Sequence, residues 1–334
     1  SLGLLASACG GRPKEEVKAP VAHLDAEAQA CAAGRPMRVH FYDVGQGLAV
    51  LVTLPDGQQI LVDAGDAATR PGCGLTCAEG NQHLLGGLSR EAKGGALAMV
   101  WITHQHSDHM GGASDVLQRF KVGQYVDNGR EPLKNLVEKV HTSAAGLGVP
   151  IVKIAPGTTA VPMNVGLGMR LTAITPAEWP EACGQNPNDC SIGLRIDYCK
   201  SSVLFTGDAE EVEEAALDVG GPVTLLQVAH HGSDTSSSAA FLAKAAPKYA
   251  VISSGKPNVG LNHQYCHPRK VAVDRVTAAL GATGQRSLET FDGTSCKEGE
   301  GKWTAVRVSD RLFSTARDGD IVLMTTGNGE FKRE

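Results

Sequence analysis

Long apolar runs are missing from this sequence. Nowhere do about 18 apolar residues follow one another, the length a membrane-spanning helix needs. Aromatic residues are scarce at 4%, so the core has to be built mainly from aliphatic side chains. No basic run occurs and the net charge is −5, which argues against a broad cationic groove for nucleic acid. That absence leaves room for a phosphate neutralised locally by metal. Short-period repeats and low-complexity tracts are absent too. What remains is an ordinary globular balance of 42% hydrophobic and 20% charged residues, with 40 glycines for tight turns. At 334 residues the chain has the size of one large α/β domain or two average ones.

Cysteine, by contrast, is well represented. The start, Ser1-Leu2-Gly3-Leu4-Leu5-Ala6-Ser7-Ala8-Cys9-Gly10-Gly11, resembles the tail of a bacterial lipoprotein signal, with Ala6 where Leu is more usual. No initiating Met or basic segment precedes it, so that signal reads as truncated. Residues 10–34, rich in Pro, Ala, Lys and Glu, then read as a tether. With Cys9 taken as the lipidated residue, eight cysteines remain: Cys31, Cys73, Cys77, Cys183, Cys190, Cys199, Cys266 and Cys296. An even set in an exported chain points to disulfides, with Cys73/Cys77 and Cys183/Cys190 the natural local pairs. A zinc knuckle fits less well, because no second closely spaced Cys/His pair stands at finger-like distance. The expected location is exported, as a periplasmic or cell-surface lipoprotein.

Chemistry concentrates at Thr103-His104-Gln105-His106-Ser107-Asp108-His109. Three histidines and one carboxylate fall within six residues, directly after the apolar run Ala96–Ile102, which reads as a buried strand. Neutral imidazole and ionised carboxylate are what Zn²⁺ and similar metals select. The pattern recurs: Asp208 follows Val203-Leu204-Phe205, His230 and His231 follow Val223–Ala229, and His263 and His267 follow Tyr249–Ser254. Seven of the 11 histidines sit in these places. Before the cluster, Met37–Val44, Leu48–Leu54 and Gln59–Asp66 read as a β-meander, and residues 67–95 as a long stapled loop with one short helix. Strands with interposed helices, repeated twice, predict two mixed sheets packed face to face with helices outside.

In order along the chain stand Phe41-Tyr42-Asp43-Val44-Gly45-Gln46-Gly47, Leu61-Val62-Asp63-Ala64-Gly65, the Thr103–Gly112 cluster, Phe205-Thr206-Gly207-Asp208-Ala209-Glu210, Val228-Ala229-His230-His231-Gly232-Ser233 and His267-Pro268. These motifs resemble the metallo-β-lactamase superfamily. More narrowly they resemble the hydrolase domain of ComEC-type competence DNA-uptake proteins and their free-standing relatives. Ala316–Ile321 is similar to that group's terminal hairpin. The resemblance implies an α/β, four-layer αβ/βα sandwich, with the hydrolase domain over 35–334 after a signal remnant at 1–9 and the tether at 10–34.

It also implies a division of labour. His104 and His106 would hold a first metal, Asp108 and His109 a second, Asp208 would bridge both, and His267 would complete the second site. Asp63, and in the same way Asp43, would order the metal loops. Zn²⁺ is the expected ion, two per chain, with Mn²⁺ the other choice. Asp208 also reads as a helix N-cap before Ala209-Glu210-Glu211. His230 and His231 read either as contacts to substrate or transition state or as structural hydrogen-bonders. One departure stands out: Asn186-Pro187-Asn188-Asp189-Cys190-Ser191 holds no histidine, where many superfamily members place the first metal's third ligand. The ComEC-like group commonly has Asn or Asp there. The first site is therefore expected to be weakly held, with Asp189, Asn188 or His230 helping.

The implied activity is metal-assisted hydrolysis of a phosphodiester, nuclease above all. Asp108 and Asp208 would orient the attacking water, and His230 or His231 would stabilise negative charge or protonate the leaving group. Two rivals stand beside it. One is hydrolysis of a small lactone, β-lactam or phosphocholine-type ester; the other is a non-catalytic surface module anchored by lipid through Cys9.

Overall fold

The computed structural model describes residues 19–281, 284–293, 295–297 and 299–334. The expected signal remnant at 1–9, with Cys9, lies outside them. Within the span expected as a tether, Ala19–Ala32 is a helix, and Cys31 is bonded to Cys199, 168 residues on. No helix among the described residues is long and apolar enough to cross a membrane.

Strands β1 (Met37–Phe41), β2 (Val50–Thr53) and β3 (Gln59–Val62) form the antiparallel meander that their alternation predicts. The apolar run at 96–102 splits into β4 (Ala96–Leu97) and β5 (Met99–Trp101). The first pairs with β6 (Lys121–Val122) in a small sheet of its own, whereas β5 lies parallel between β3 and β7 (Tyr125–Asp127). The chain continues through β8 (Ile151–Lys153), β9 (Met169–Ile174), β10 (Gly193–Tyr198), β11 (Ser201–Phe205), β12 (Leu225–Gln227) and β13 (Tyr249–Ile252). A long hairpin, β14 (Arg286–Gly293) with β15 (Gly301–Val308), precedes β16 (Leu312–Ser314), β17 (Ile321–Thr325) and β18 (Lys332–Arg333). The large sheets are ordered β18-β17-β1-β2-β3-β5-β7-β8 and β16-β13-β12-β11-β10-β9.

Alternation along each strand decides which layer a residue joins. Val50 and Val52, Ile60 and Val62, Met99 and Trp101, and Val203 and Phe205 meet between the two sheets. Their neighbours Leu51, Leu61 and Val100 turn outward against Leu84, Leu88, Val116, Val137 and Val140 of covering helices. On the far side Leu204, Leu226 and Ile252 pack on Phe241, Leu242, Val273 and Val276. Strands covered on both faces read as continuous apolar runs, which is how β5, β11 and β12 look in the sequence. The result is the expected four-layer arrangement of helix, sheet, sheet and helix.

One stretch differs from expectation. Residues 67–95 hold a 16-residue helix, Thr76–Glu91, rather than a loop with a short helix. Its inner face is lined with Gly80 and Gly87 as well as Leu84 and Leu88, because a Cβ at either glycine would strike the Val44 backbone or the Tyr42 ring. Close helix–strand approach replaces apolar side chains with glycine and so erases the periodicity that would announce the helix. At the other end, Thr315–Asp318 is a short helix leading into β17, which pairs antiparallel with β18.

Candidate metal centre

Asp63 follows β3, Thr103–His109 follows β5, Asp208 follows β11, His230 and His231 follow β12, and His267 lies beyond β13. Carboxyl ends of strands from both sheets thus converge on one place, where open α/β sheets bind ligands. Three cross-links hold it. Trp101 Nε1 donates to the carbonyl of Ile192 at 3.0 Å and Ile192 N to that of Thr103 at 2.8 Å. His230 N donates to the Gly207 carbonyl at 3.1 Å.

Asp63 is completely buried, with φ at 55°, a conformation Asp tolerates better than most residues. Its Oδ1 accepts from Thr103 N at 2.7 Å, and its Oδ2 from Thr103 Oγ1 at 2.8 Å and from His109 Nδ1 at 2.7 Å. That last bond leaves His109 Nε2 facing the centre. His231 is oriented in the same way, because its Nδ1 donates to the Ser253 carbonyl at 2.8 Å. Both His230 (φ 50°) and His231 (φ 56°) are left-handed, and both consecutive rings reach Asp208 Oδ2, at 3.8 and 3.4 Å.

One half of the centre is compact. Donor atoms of Asp108, His109, Asp208 and His231 all lie within 4.8 Å of one another. His109 Nε2 is 3.1 Å from Asp208 Oδ2 and 3.1 Å from His231 Nε2. His231 Nε2 stands 3.3 Å from Asp108 Oδ2 and 3.4 Å from Asp208 Oδ2. Burial opposes charge throughout this knot, yet mutual attraction wins. Asp208 and Asp108 hold His231 up at about 10, and Asp208 with Asp63 raises His109 well above its ordinary value. The imidazoles in turn keep Asp108 and Asp208 far below the usual carboxylate range.

The other half is more open. His104 Nε2 faces His106 Nδ1 at 3.0 Å and lies 4.0 Å from Asp208 Oδ2. Burial lowers both His104 and His106, so their rings are neutral donors. Opposite them, the turn Pro187–Cys190 presents Asn188, whose Nδ2 bonds Glu210 Oε1 at 3.0 Å and meets His230 Nε2 at 3.3 Å. The Cys183–Cys190 disulfide closes that turn, one of the two local pairs the sequence singles out; the other, Cys73–Cys77, is formed as well. Cys266–Cys296 tethers the residue before His267.

Not every expected residue falls where the pattern puts it. His231 occupies the fourth corner of the compact group. His267 stands beside it, its ring stacked on that of His231 at 6.4 Å and its Nδ1 3.3 Å from Gln46 Nε2. Asp208 does not cap a helix through its side chain: the helix begins at Glu211 after Glu210. His263 is peripheral, its ring turned to the Gly260 carbonyl. Asp43 receives Gly45 N at 3.4 Å, and its own N donates to Asp320 Oδ1 at 2.8 Å. Three positioning residues receive no role in the sequence reading, although Gln46 stands inside the Phe41–Gly47 motif. Gln46 braces His267 and accepts from Gly255 N at 3.1 Å; Asp66 accepts from Ser107 Oγ; and Asn262 accepts from His267 N at 2.8 Å. Burial pushes Asp66 up to about 6. Their only sequence signal is a polar residue at the end of an apolar strand or inside a Gly-flanked loop.

Metal ions fit this donor set. Nitrogens bound about 2.1 Å from one tetrahedral ion stand about 3.4 Å apart, close to the His–His and His–Asp separations found here. Asp208 Oδ1 and Asn188 Oδ1 are buried with no hydrogen-bond partner, an arrangement rare unless something else satisfies them. Each ring whose outer nitrogen is tied to Asp63 or to Ser253 O shows the orientation a ligating imidazole needs.

Comparison with known proteins agrees with this geometry. The profile of the metallo-beta-lactamase superfamily matches residues 42–256. Recombination protein 2 of Haemophilus influenzae is 34% identical over 230 residues, 66% of this chain and 24% of that protein. ComE operon protein 3 of Bacillus subtilis is 28% identical over 242 residues, 70% of this chain and 29% of that protein. Competence protein ComA of Neisseria gonorrhoeae is 39% identical over 95 residues, 27% of this chain and 13% of that protein. The chain thus spans less than a third of each of these relatives. With the strand-end ligand motifs in order and the profile covering most of both sheets, the chain belongs to the metallo-β-lactamase superfamily, as a ComEC-like domain with that superfamily's metal-dependent hydrolase fold.

Proposed function

We propose that the protein is a metal-dependent phosphodiesterase acting on nucleic acid. The observation that carries the reading is Asp208, whose Oδ2 stands 3.1 Å from His109 Nε2 in the compact half and 4.0 Å from His104 Nε2 in the other, while its buried Oδ1 has no hydrogen-bond partner. Asp108, His109, Asp208 and His231 would hold one ion; His104, His106 and Asp208, with Asn188 Oδ1 in place of the missing histidine, would hold the other. An ion held there, zinc or manganese, would supply a water of lowered pKa and would polarise the phosphoryl oxygen. The chain supplies the rest. Asp108 and Asp208, both ionised, accept hydrogens from the attacking water and fix its direction. His230 is half-buried at the edge of the centre, with Nδ1 3.3 Å from Glu210 Oε1. The ring held between Glu210 Oε1 and Asn188 Nδ2 would border the phosphoryl group on the leaving side.

Nucleic acid is favoured over other esters because the similar proteins are named for recombination and competence. An exported, oxidising location is favoured by the four disulfides. Anchoring through Cys9 remains part of the same proposal.

The test is hydrolysis of bis-p-nitrophenyl phosphate and of single-stranded DNA, before and after chelation and with Zn²⁺ or Mn²⁺ restored. Activity lost with the metal and recovered on return is expected. Turnover of nitrocefin or an acyl-lactone, with neither phosphodiester cleaved, would reassign the substrate.

A further inference from the structure

A cavity of 710 Å³ opens beside the metal centre, bordered by Gln105, His106, Arg130, Glu131, Leu133 and the Cys183–Cys190 disulfide. That volume falls in the range of sites for small organic ligands or a short strand. Its contact with His106 places it next to the reacting centre. Two of its groups have chemistry left to offer.

Arg130 is the first. Among the described residues its guanidinium has no carboxylate or carbonyl partner; only its backbone N is engaged, donating to Asn128 Oδ1 at 3.0 Å. In a chain of net charge −5, an unpaired arginine on the wall of a cavity is a binding group for an anion.

Gln105 is the second, and the direction of its amide is forced. Asn128 Nδ2 donates to the carbonyl of Cys190 at 2.6 Å, so Asn128 Oδ1 must face the other way. There it accepts from Arg130 N and from Gln105 Nε2. Gln105 is therefore turned with Nε2 toward Asn128, and its Oε1 is an acceptor without a partner in a residue only 1% exposed. A buried acceptor left unsatisfied at a cavity wall is a place for a ligand N–H or O–H. Leu133 and the disulfide add apolar surface to the same wall.

We propose that this cavity seats the nucleotide next to the scissile phosphodiester, with Arg130 holding its outer phosphate and Gln105 Oε1 accepting a hydrogen from its base or sugar. The assignment rests on the phosphodiesterase reading. It makes Arg130 and Gln105 positioning residues for a strand, with no part in cleaving a substrate that carries one phosphate. Glu131 shares the rim with the opposite sign and should weaken the same contact.

The experiment compares full-length metal-loaded wild type, Arg130→Ala and Glu131→Gln on bis-p-nitrophenyl phosphate and on a short single-stranded oligonucleotide. Anisotropy of a labelled phosphorothioate oligonucleotide reports binding independently of cleavage. Arg130→Ala should raise KM and Kd for the oligonucleotide by about tenfold and reduce the slope of log Kd against log salt by about 0.7. Turnover of bis-p-nitrophenyl phosphate should be unchanged, and Glu131→Gln should shift the oligonucleotide constants the other way. An abasic flanking position should weaken binding if the base is the donor; a ribonucleotide there should strengthen it if the sugar is. Oligonucleotide constants indifferent to Arg130→Ala would overturn the subsite, and indifference to both base and sugar would remove Gln105 from it. Absence of all phosphodiester cleavage by wild type, with Arg130-dependent binding intact, would instead sink the catalytic reading and leave the subsite standing.

Discussion

Asp63 Oδ2 lies 2.7 Å from His109 Nδ1, and neither side chain is reached by solvent. The pair fixes which nitrogen of His109 faces the centre, and through Thr103 it also fixes the loop that carries His104 and His106. An aspartate contributed by β3 thus governs both halves without belonging to either group of donors.

Asp63→Asn keeps the size of this side chain but loses its charge and places a donor against either Thr103 or His109. Outer carboxylates of this kind typically contribute 10–100-fold to metal affinity. A loss of about that size is expected by competitive chelator titration, with His109 still present. Affinity equal to wild type would mean that the loop is held by other contacts.

His231 and His267 can be separated by the same measurement. His231 has its Nε2 within 3.4 Å of both Asp108 and Asp208, whereas His267 reaches Gln46. His231→Ala should lower bound metal in a dialysed sample by about one equivalent; His267→Ala should retain the metal and reduce turnover. The opposite pattern would restore the ligand set that the motif order implies.

The difference between those two residues shows where sequence reading stops. The strands were legible because burial on one or both faces leaves period-2 or continuous apolar runs, and the ligand motifs were legible because they sit where those runs end. Neither signal says which of several histidines turns inward. That choice depends on the left-handed backbone at His230 and His231 and on the Ser253 carbonyl that takes the Nδ1 proton of His231. The helix Thr76–Glu91 escaped for another reason: Gly80 and Gly87 take two of its contact positions beside Leu84 and Leu88, and they carry no hydrophobic signal.

The Cys183–Cys190 disulfide closes a separation of seven residues around Asn188, and Cys31–Cys199 closes one of 168. Chain entropy makes the second the larger contributor to stability, about 5 kcal/mol against about 2 kcal/mol. Function should rank them the other way. Replacing Cys183 and Cys190 with serine frees the turn that presents Asn188, so metal stoichiometry should fall toward one and turnover with it. Replacing Cys31 and Cys199 should lower the unfolding midpoint strongly and leave metal content unchanged. Equal metal stoichiometry in both double variants would remove Asn188 from the first site.

Away from the metals, His40 sits between two carboxylates, with Nδ1 2.8 Å from Glu91 Oε1 and Nε2 3.2 Å from Asp320 Oδ2. Tyr42, Arg38 and His83 face the same carboxylates, and Asp43 N donates to Asp320. Burial opposes the charge on His40, but the Asp320 and Glu91 carboxylates that accept from its ring raise it above its ordinary 6.5. Burial likewise opposes the carboxylates, yet His40 helps to hold Glu91 below 4.5 and Asp320 below 3.8. The histidine term is fully present below 6.5 and is lost as pH rises through its raised folded value. The carboxylate terms are present above 3.8 and 4.5 and are lost as pH falls through their lowered folded values. The stability margin of wild type over His40→Gln should therefore be greatest between 4.5 and 6.5 and shrink toward both acid and alkaline pH. Urea unfolding of the two proteins at matched metal load measures that margin and cancels the titration of the metal ligands. A margin that stays constant from pH 5 to 9 would show that the bonds to His40 do not depend on its charge.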